Sequence, residues 1–390
     1  MNLNLFDHKG TPLDKQRFTW REIAGHKPIS KLDDDAFTRI RVILMNGVES
    51  DAVRLQHTMM RFNRELRLPL ATMMRTEHHQ QTLVNWLLSA DHSPLETTIG
   101  YEQVAIEVTS SVAQNEPDAY LSQVYRFGLL EDFDHLYRYS ALMDRLEGKD
   151  ANNILQGYTD IIPGRPTVIE HRHPEDDLRD PYGPDADPLS KIHATLITAA
   201  EYQTHDYYMH FGPTFADPVA RQLYAEIASV EAQHITQYGS LIDPGDEGIT
   251  QWLMHEAMEA YTYWCCMEQE TNPRIKATWE RFFDYEMGHF HMVADIYKNA
   301  LRRDPQEFFP KAFDKRIEFV SHRDYVKQVL QDEVDLRALG TQFIRDKDGE
   351  SERTLDYRHH LNSEGSPSDA ASAGYQWAPG TELAPKVVNL

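Results

Sequence analysis

Two cysteines, Cys265 and Cys266, are all that 390 residues contain, and they are adjacent. That excludes a disulfide framework and any Cys-x-x-Cys module. Neighbouring cysteines on a helix do not readily reach disulfide geometry, so the pair reads as small buried apolar side chains. Long apolar runs are missing as well. None approaches the roughly 20 residues that cross a bilayer, and the first thirty residues carry no apolar signal core, which leads us to expect a soluble, cytoplasmic protein. Positive charge is scarce: 39 Lys and Arg against 62 Asp and Glu leave a net charge of -23, which excludes nucleic acid and anionic membranes as natural partners. The 41% of hydrophobic residues suffices for the cores of two to three domains.

Much of the acid follows a pattern. Glu201, Tyr208, Pro218, Glu231 and His234 recur fifty-five residues later as Glu256, Tyr263, Pro273, Glu286 and His289, without a gap. Each half reads Glu and then, thirty residues on, Glu-x-x-His, a distance that accommodates two helices and a tight turn. Residues three apart share a helix face, so each Glu-x-x-His offers a carboxylate and an imidazole to one point. Such oxygen and nitrogen donors suit iron, manganese or zinc, and two cations would offset four inward carboxylates.

This ligand set resembles that of the ferritin-like di-iron or di-manganese carboxylate superfamily, over roughly residues 192 to 300. The resemblance implies that Glu231 and Glu286 bridge two metals while Glu201 and Glu256 are terminal ligands beside His234 and His289. Glu259, one turn after Glu256, is similar to an extra rubrerythrin glutamate that enters the coordination sphere as the metals change oxidation state. The rubredoxin module usual in rubrerythrins has no cysteines here, so an external electron donor is implied. Tyr208 and Tyr263 would hydrogen-bond ligating carboxylates, or serve as ordinary core tyrosines. His205, one turn beyond Glu201, reads as a hydrogen-bonded core histidine, with an added ligand or proton shuttle as the alternative.

A second comparison reaches further back. Glu77, Gln80, Glu102, Asp132 and His135 precede Glu231, His234, Glu256, Glu286 and His289 by 154 residues, with Glu49 two residues out of register. The chain therefore reads as a tandem duplication. With His replaced at Gln80 and Glu shortened at Asp132, the earlier copy is expected to have lost its metals and kept its fold, one metal or an altered pair being the alternative.

The resulting expectation is all-α: two tandem ferritin-like four-helix bundles with a long connecting loop and a C-terminal helical extension. An N-terminal extension would span 1–34, the degenerate bundle 35–147, a Pro-, Gly- and Asp-rich linker or cover 148–190, the metal-bearing bundle 191–303, a helical extension 304–345 and a polar tail 346–390. His171 and His173 in the loop read as solvated residues more readily than as ligands. The functional expectation is an oxidoreductase with two Fe, two Mn or a mixed pair acting on H2O2 or O2, a rubrerythrin-like peroxidase being favoured. Alternatives are an oxygenase or oxidase acting on an organic substrate and a non-enzymatic metal-binding protein. A homo-oligomer and a built-in pseudo-dimer are both compatible with the duplication.

Overall fold

The computed structural model describes residues 2–88 and 90–377, and it is mostly helical, with one two-stranded sheet. Eight long helices form four hairpins: α1 (Ala36–Phe62) with α2 (Arg67–Asn85), α3 (Pro94–Asn115) with α4 (Ala119–Glu147), α5 (Pro188–Phe211) with α6 (Pro218–Gly239), and α7 (Gly248–Gln269) with α8 (Pro273–Leu301). Local chemistry fixes most of the starts. Ser93-Pro94, Asp187-Pro188, Asp217-Pro218 and Asn272-Pro273 each place a side-chain acceptor at the N-cap and proline at the first helical position. The cap satisfies a free N–H there, and proline has none to lose.

How the hairpins pair differs from the expected tandem order. Sequence neighbours were expected to share a bundle, as 35–147 and 191–303. Instead the first hairpin meets the fourth and the second meets the third, in a nested arrangement. Glu270, in the α7–α8 turn, accepts from Thr38 Oγ1 at 2.7 Å and Arg41 Nε at 2.8 Å, both on α1. Glu116, in the α3–α4 turn, accepts in the same way from Ser190 and from His193 Nδ1 at 2.7 Å, both on α5. These carboxylates are buried, so each requires its partners and specifies which hairpin supplies them. Contacts of α1 and α7 with α5, and of α1 with α3, join the two groups.

Outside the helices, the chain is a set of covers. The N-terminal segment forms a bridge from Leu3 to Phe313 and crosses α8 so closely that a Cβ on Gly288 would lie 2.0 Å from the Thr11 carbonyl oxygen. Residues 148–190 are not a solvated linker: Arg165, Glu170, His171, Arg172 and Asp176 are buried, and short helices occur at Asn152–Leu155 and Pro174–Asp177. His171 pairs with Glu226, and His173 caps the second of these helices. The expected C-terminal helical extension is shorter than the apolar spacing suggested. Helix α9 (Arg323–Glu333) stops, and β1 (Leu336–Leu339) pairs antiparallel with β2 (Gln342–Arg345) through Gly340, whose φ of +57° suits the reversal. In the polar tail, helices occupy Glu352–Leu361 and Pro367–Ser372; its part from 378 to 390 lies outside the described residues. No helix among the described residues is long and apolar enough to cross a membrane.

Candidate metal centres

Nesting divides the seven residues expected in one site between two. At the inner site, Glu102 of α3, Asp132 and His135 of α4, Glu201 of α5, and Glu231 and His234 of α6 converge. The outer site gathers Glu49 of α1, Glu77 and Gln80 of α2, Glu256 and Glu259 of α7, and Glu286 and His289 of α8. The residues assigned to a degenerate copy are thus halves of both clusters, each completed by a half of the expected metal site.

Each cluster resolves into two candidate cation positions. In the inner site, one has Asp132, Glu201, Glu231 and His234, and the other has Glu102, His135 and Glu231. His234 Nδ1 lies 3.2 Å from Glu231 and 3.3 Å from Asp132, while His135 Nδ1 lies 3.2 Å from the other Glu231 oxygen. Glu231 therefore stands between the two positions. In the outer site one position has Glu77, Glu256, Glu286 and His289, and the other has Glu49, Glu77, Glu259 and Glu286, so Glu77 and Glu286 are shared. His289 Nδ1 is 2.9 Å from Glu77 and 3.1 Å from Glu286. Gln80 donates its amide to Glu49 at 3.1 Å and also to Glu286.

All of these side chains are buried, and many of their atoms lack partners. One Asp132 oxygen and one oxygen each of Glu49, Glu77, Glu102 and Glu259 have neither a hydrogen bond nor an ion pair. Fully buried acceptors left unpaired are costly, and a cation would satisfy several at once. The donor sets therefore fit metal ions.

Electrostatics point the same way. Burial first, then neighbouring carboxylates, pushes the Glu49, Glu201, Glu256, Glu259 and Glu286 carboxyls above their ordinary range. Burial also raises Glu102 and Asp132, although nearby histidines pull against it. His135, His234 and His289 are raised too: burial opposes their charge, but Glu170, Asp132 and Glu77 outweigh it. Burial likewise opposes the charge on Glu231, yet His135 and His234 hold its carboxyl low. Protons thus do the neutralising where cations would otherwise stand. Neither family models, curated proteins nor solved structures give a match to this chain.

Residues behind the ligands set their orientation. His135 Nε2 donates to Glu170 at 2.9 Å, His234 Nε2 to Glu131 at 2.9 Å, and His289 Nε2 to Gln16 Oε1 at 2.8 Å. With the proton fixed on Nε2, the Nδ1 lone pair of a neutral ring faces the cluster, the state a metal ligand needs. Tyr208 donates to Glu102 and Tyr263 to Glu49, each across to the facing hairpin. Trp252 Nε1 holds Glu256 at 2.7 Å, and His255 holds Glu259 at 3.1 Å. His205 stays outside, half-buried beside Asp206 at 3.3 Å. Sequence reading missed Gln16, Glu131, Trp252 and His255 in these roles. Glu131 had one signal, an acid directly beside Asp132 that follows the apolar Phe127, Leu129 and Leu130 of α4. Glu170 sits in the 148–190 loop, and nothing in its spacing ties it to α4. Replacing it, as in Glu170→Leu, is expected to weaken metal binding at the inner site by roughly 10- to 100-fold, measured by calorimetric titration.

Access differs between the sites. A small, mostly apolar cavity between α1, α3 and α5 reaches Glu201 and is walled by Ile43, Tyr101, Ala105, Ile197 and Thr204, with space for about one water-sized molecule. A larger cleft beside α8, lined by Leu13, Leu68, His291 and Met292, lies under the N-terminal segment and includes none of the outer-site carboxylates or His289.

Proposed function

We propose that this chain is a ferritin-like di-metal carboxylate oxidoreductase whose inner site binds two Fe or Mn ions and reduces a small oxidant, H2O2 or O2. The observation that carries this is the inner donor set, two Glu or Asp-x-x-His pairs and two further glutamates, beside a small, mostly apolar cavity with space for about one water-sized molecule. Bound metals would supply the two electrons that, with two protons, turn H2O2 into two waters, and an external donor would restore them.

The chain's own residues do the rest. Glu231 between the two positions sets their spacing, and Glu102 and Glu201 close the flanks. Tyr208, with its hydroxyl on Glu102, fixes that carboxylate and is itself buried. Ile43, Ile197 and Val104 keep the approach to Glu201 apolar, which limits bulk water. The wall favours a small oxidant over an organic substrate, which would need more room at the ligands. Support from Glu259 for peroxide chemistry moves away from this reading, because Glu259 belongs to the other cluster.

The test is metal content and peroxide reactivity together. Protein loaded with iron or manganese is expected to hold about four ions per chain, two per site, falling to about two in Glu231→Ala. Reduced, loaded protein should be oxidised stoichiometrically by H2O2, and Glu231→Ala and His135→Ala should bring that rate to background while the helical circular dichroism is kept. Wild-type oxidation in both variants would refute the assignment.

A further inference from the structure

The two sites are not copies of one another, and the difference follows a rule. One turn after the first glutamate of each hairpin stand Ala52, Ala105, Thr204 and Glu259. Ala105 and Thr204 line the cavity beside the inner site. Glu259 instead enters a cation position, with Glu49, Glu77 and Glu286. That position takes Glu49 and Glu77 from the first hairpin, the one in which Gln80 replaces the histidine three residues after the acid. The only one of the four positions without an imidazole is therefore the one that receives an extra carboxylate.

We infer that Glu49, Glu77, Glu259 and Glu286 form an all-oxygen site for a hard divalent cation of the Mn2+ class. The second observation beside the acids is the unpartnered oxygen that each of Glu49, Glu77 and Glu259 keeps while fully buried. Carboxylate-only donor sets suit magnesium, calcium and manganese, whereas imidazole adds affinity for zinc and iron. Gln80 donates to Glu49 and Glu286, so it orients the two carboxylates without supplying nitrogen to a metal. His255, bridging Asp51 and Glu259 at 3.1 Å each, holds Glu259 in place. This assignment shares with the proposed function the premise that the buried clusters hold cations, and it is independent of the redox reading.

Metal-free full-length protein loaded with Mn2+ and then titrated with Zn2+, with released Mn2+ followed by electron paramagnetic resonance, tests it. Two phases are expected, most Mn2+ leaving early and a fraction of about one ion per chain requiring at least roughly ten-fold more Zn2+. Glu259→Gln should abolish the retained fraction, and Gln80→His should move it into the early phase. Glu231→Gln, at the inner site, should leave it intact. A single phase in the wild type, or a retained fraction that survives Glu259→Gln, would overturn the inference. Loss of peroxide reactivity in the inner-site variants with the retained fraction unchanged would uphold both readings, and each readout can fail without the other.

Discussion

Chelation of the bound metal is expected to destabilise the chain much more at pH 8 than at pH 5.5. In the metal-free fold, Glu49, Glu102, Asp132, Glu201, Glu256, Glu259 and Glu286 hold their protons above the ordinary carboxylate range, chiefly because they are buried. Unfolding releases those protons once pH exceeds about 4.5, so the folded state binds more protons than the unfolded one and loses stability as pH rises. His135, His234 and His289 are raised as well, and their contribution, full below about 6.5, is lost as pH climbs through their folded values. Both sets therefore push the same way. Glu131 and Glu231 are lowered, so their contribution is already complete above about 4.5 and does not change across this window. Each proton retained by the fold costs about 1.4 kcal/mol per pH unit, and even one net proton gives about 3 kcal/mol between the two conditions. Metal replaces the protons and binds more tightly as pH rises, so the loaded chain should resist the trend. Scanning calorimetry with and without chelator at both pH values decides it. Parallel pH dependence of the two forms would mean that the clusters are not metal sites.

Helices and ligand types were legible in the sequence because both are local. Glu231 and His234, or Glu286 and His289, share a face by spacing alone, and cap-proline pairs mark where α5, α6 and α8 begin. Hairpin pairing was not legible, because all four hairpins carry nearly the same acidic stripe and any two could close a cluster. What selects the partner lies elsewhere: Glu270 reaching Thr38 and Arg41, and Glu116 reaching Ser190 and His193. None of these stood out as a motif, since a glutamate in a turn is ordinarily solvated. The same blindness made Gln80 and Asp132 look like two defects of one site. Nesting puts them in different clusters, and each cluster retains a shared carboxylate from the facing hairpin. The loop from 148 to 190 was compositionally a linker, yet it supplies Glu170, Arg165 and Arg172, whose burial becomes apparent only against α4 and α6.

Arg172→Met is expected to lower unfolding stability by about 3–5 kcal/mol, the cost typical of stranding a buried charge. Arg172 is buried and donates to both oxygens of Glu131, at 3.1 Å to Oε2, and to Asp177 at 2.9 Å. Arg165 reaches the same Glu131 at 2.9 Å, and its guanidinium lies over the Phe127 ring. Against the burial penalty, Arg172 leads the interactions that hold the Glu131 carboxyl well below its usual range, followed by the hydrogen bond from His234. With Arg172 gone, Glu131 would take a proton more readily and Asp177 would lose its cation. A protonated Glu131 is a poorer acceptor for His234 Nε2, so inner-site metal affinity should fall by roughly 10-fold or more as well. The outer site provides an internal control, because His289 leans on the neutral Gln16 and should keep its affinity. Urea denaturation reads the first effect and metal titration the second. The double variant Glu131→Gln with Arg172→Met separates pairing from packing: if the arginine matters because Glu131 is charged, adding Glu131→Gln should recover much of the lost stability. No recovery would show that Arg172 acts by filling space or through Asp177, and that the orientation of His234 is set without it.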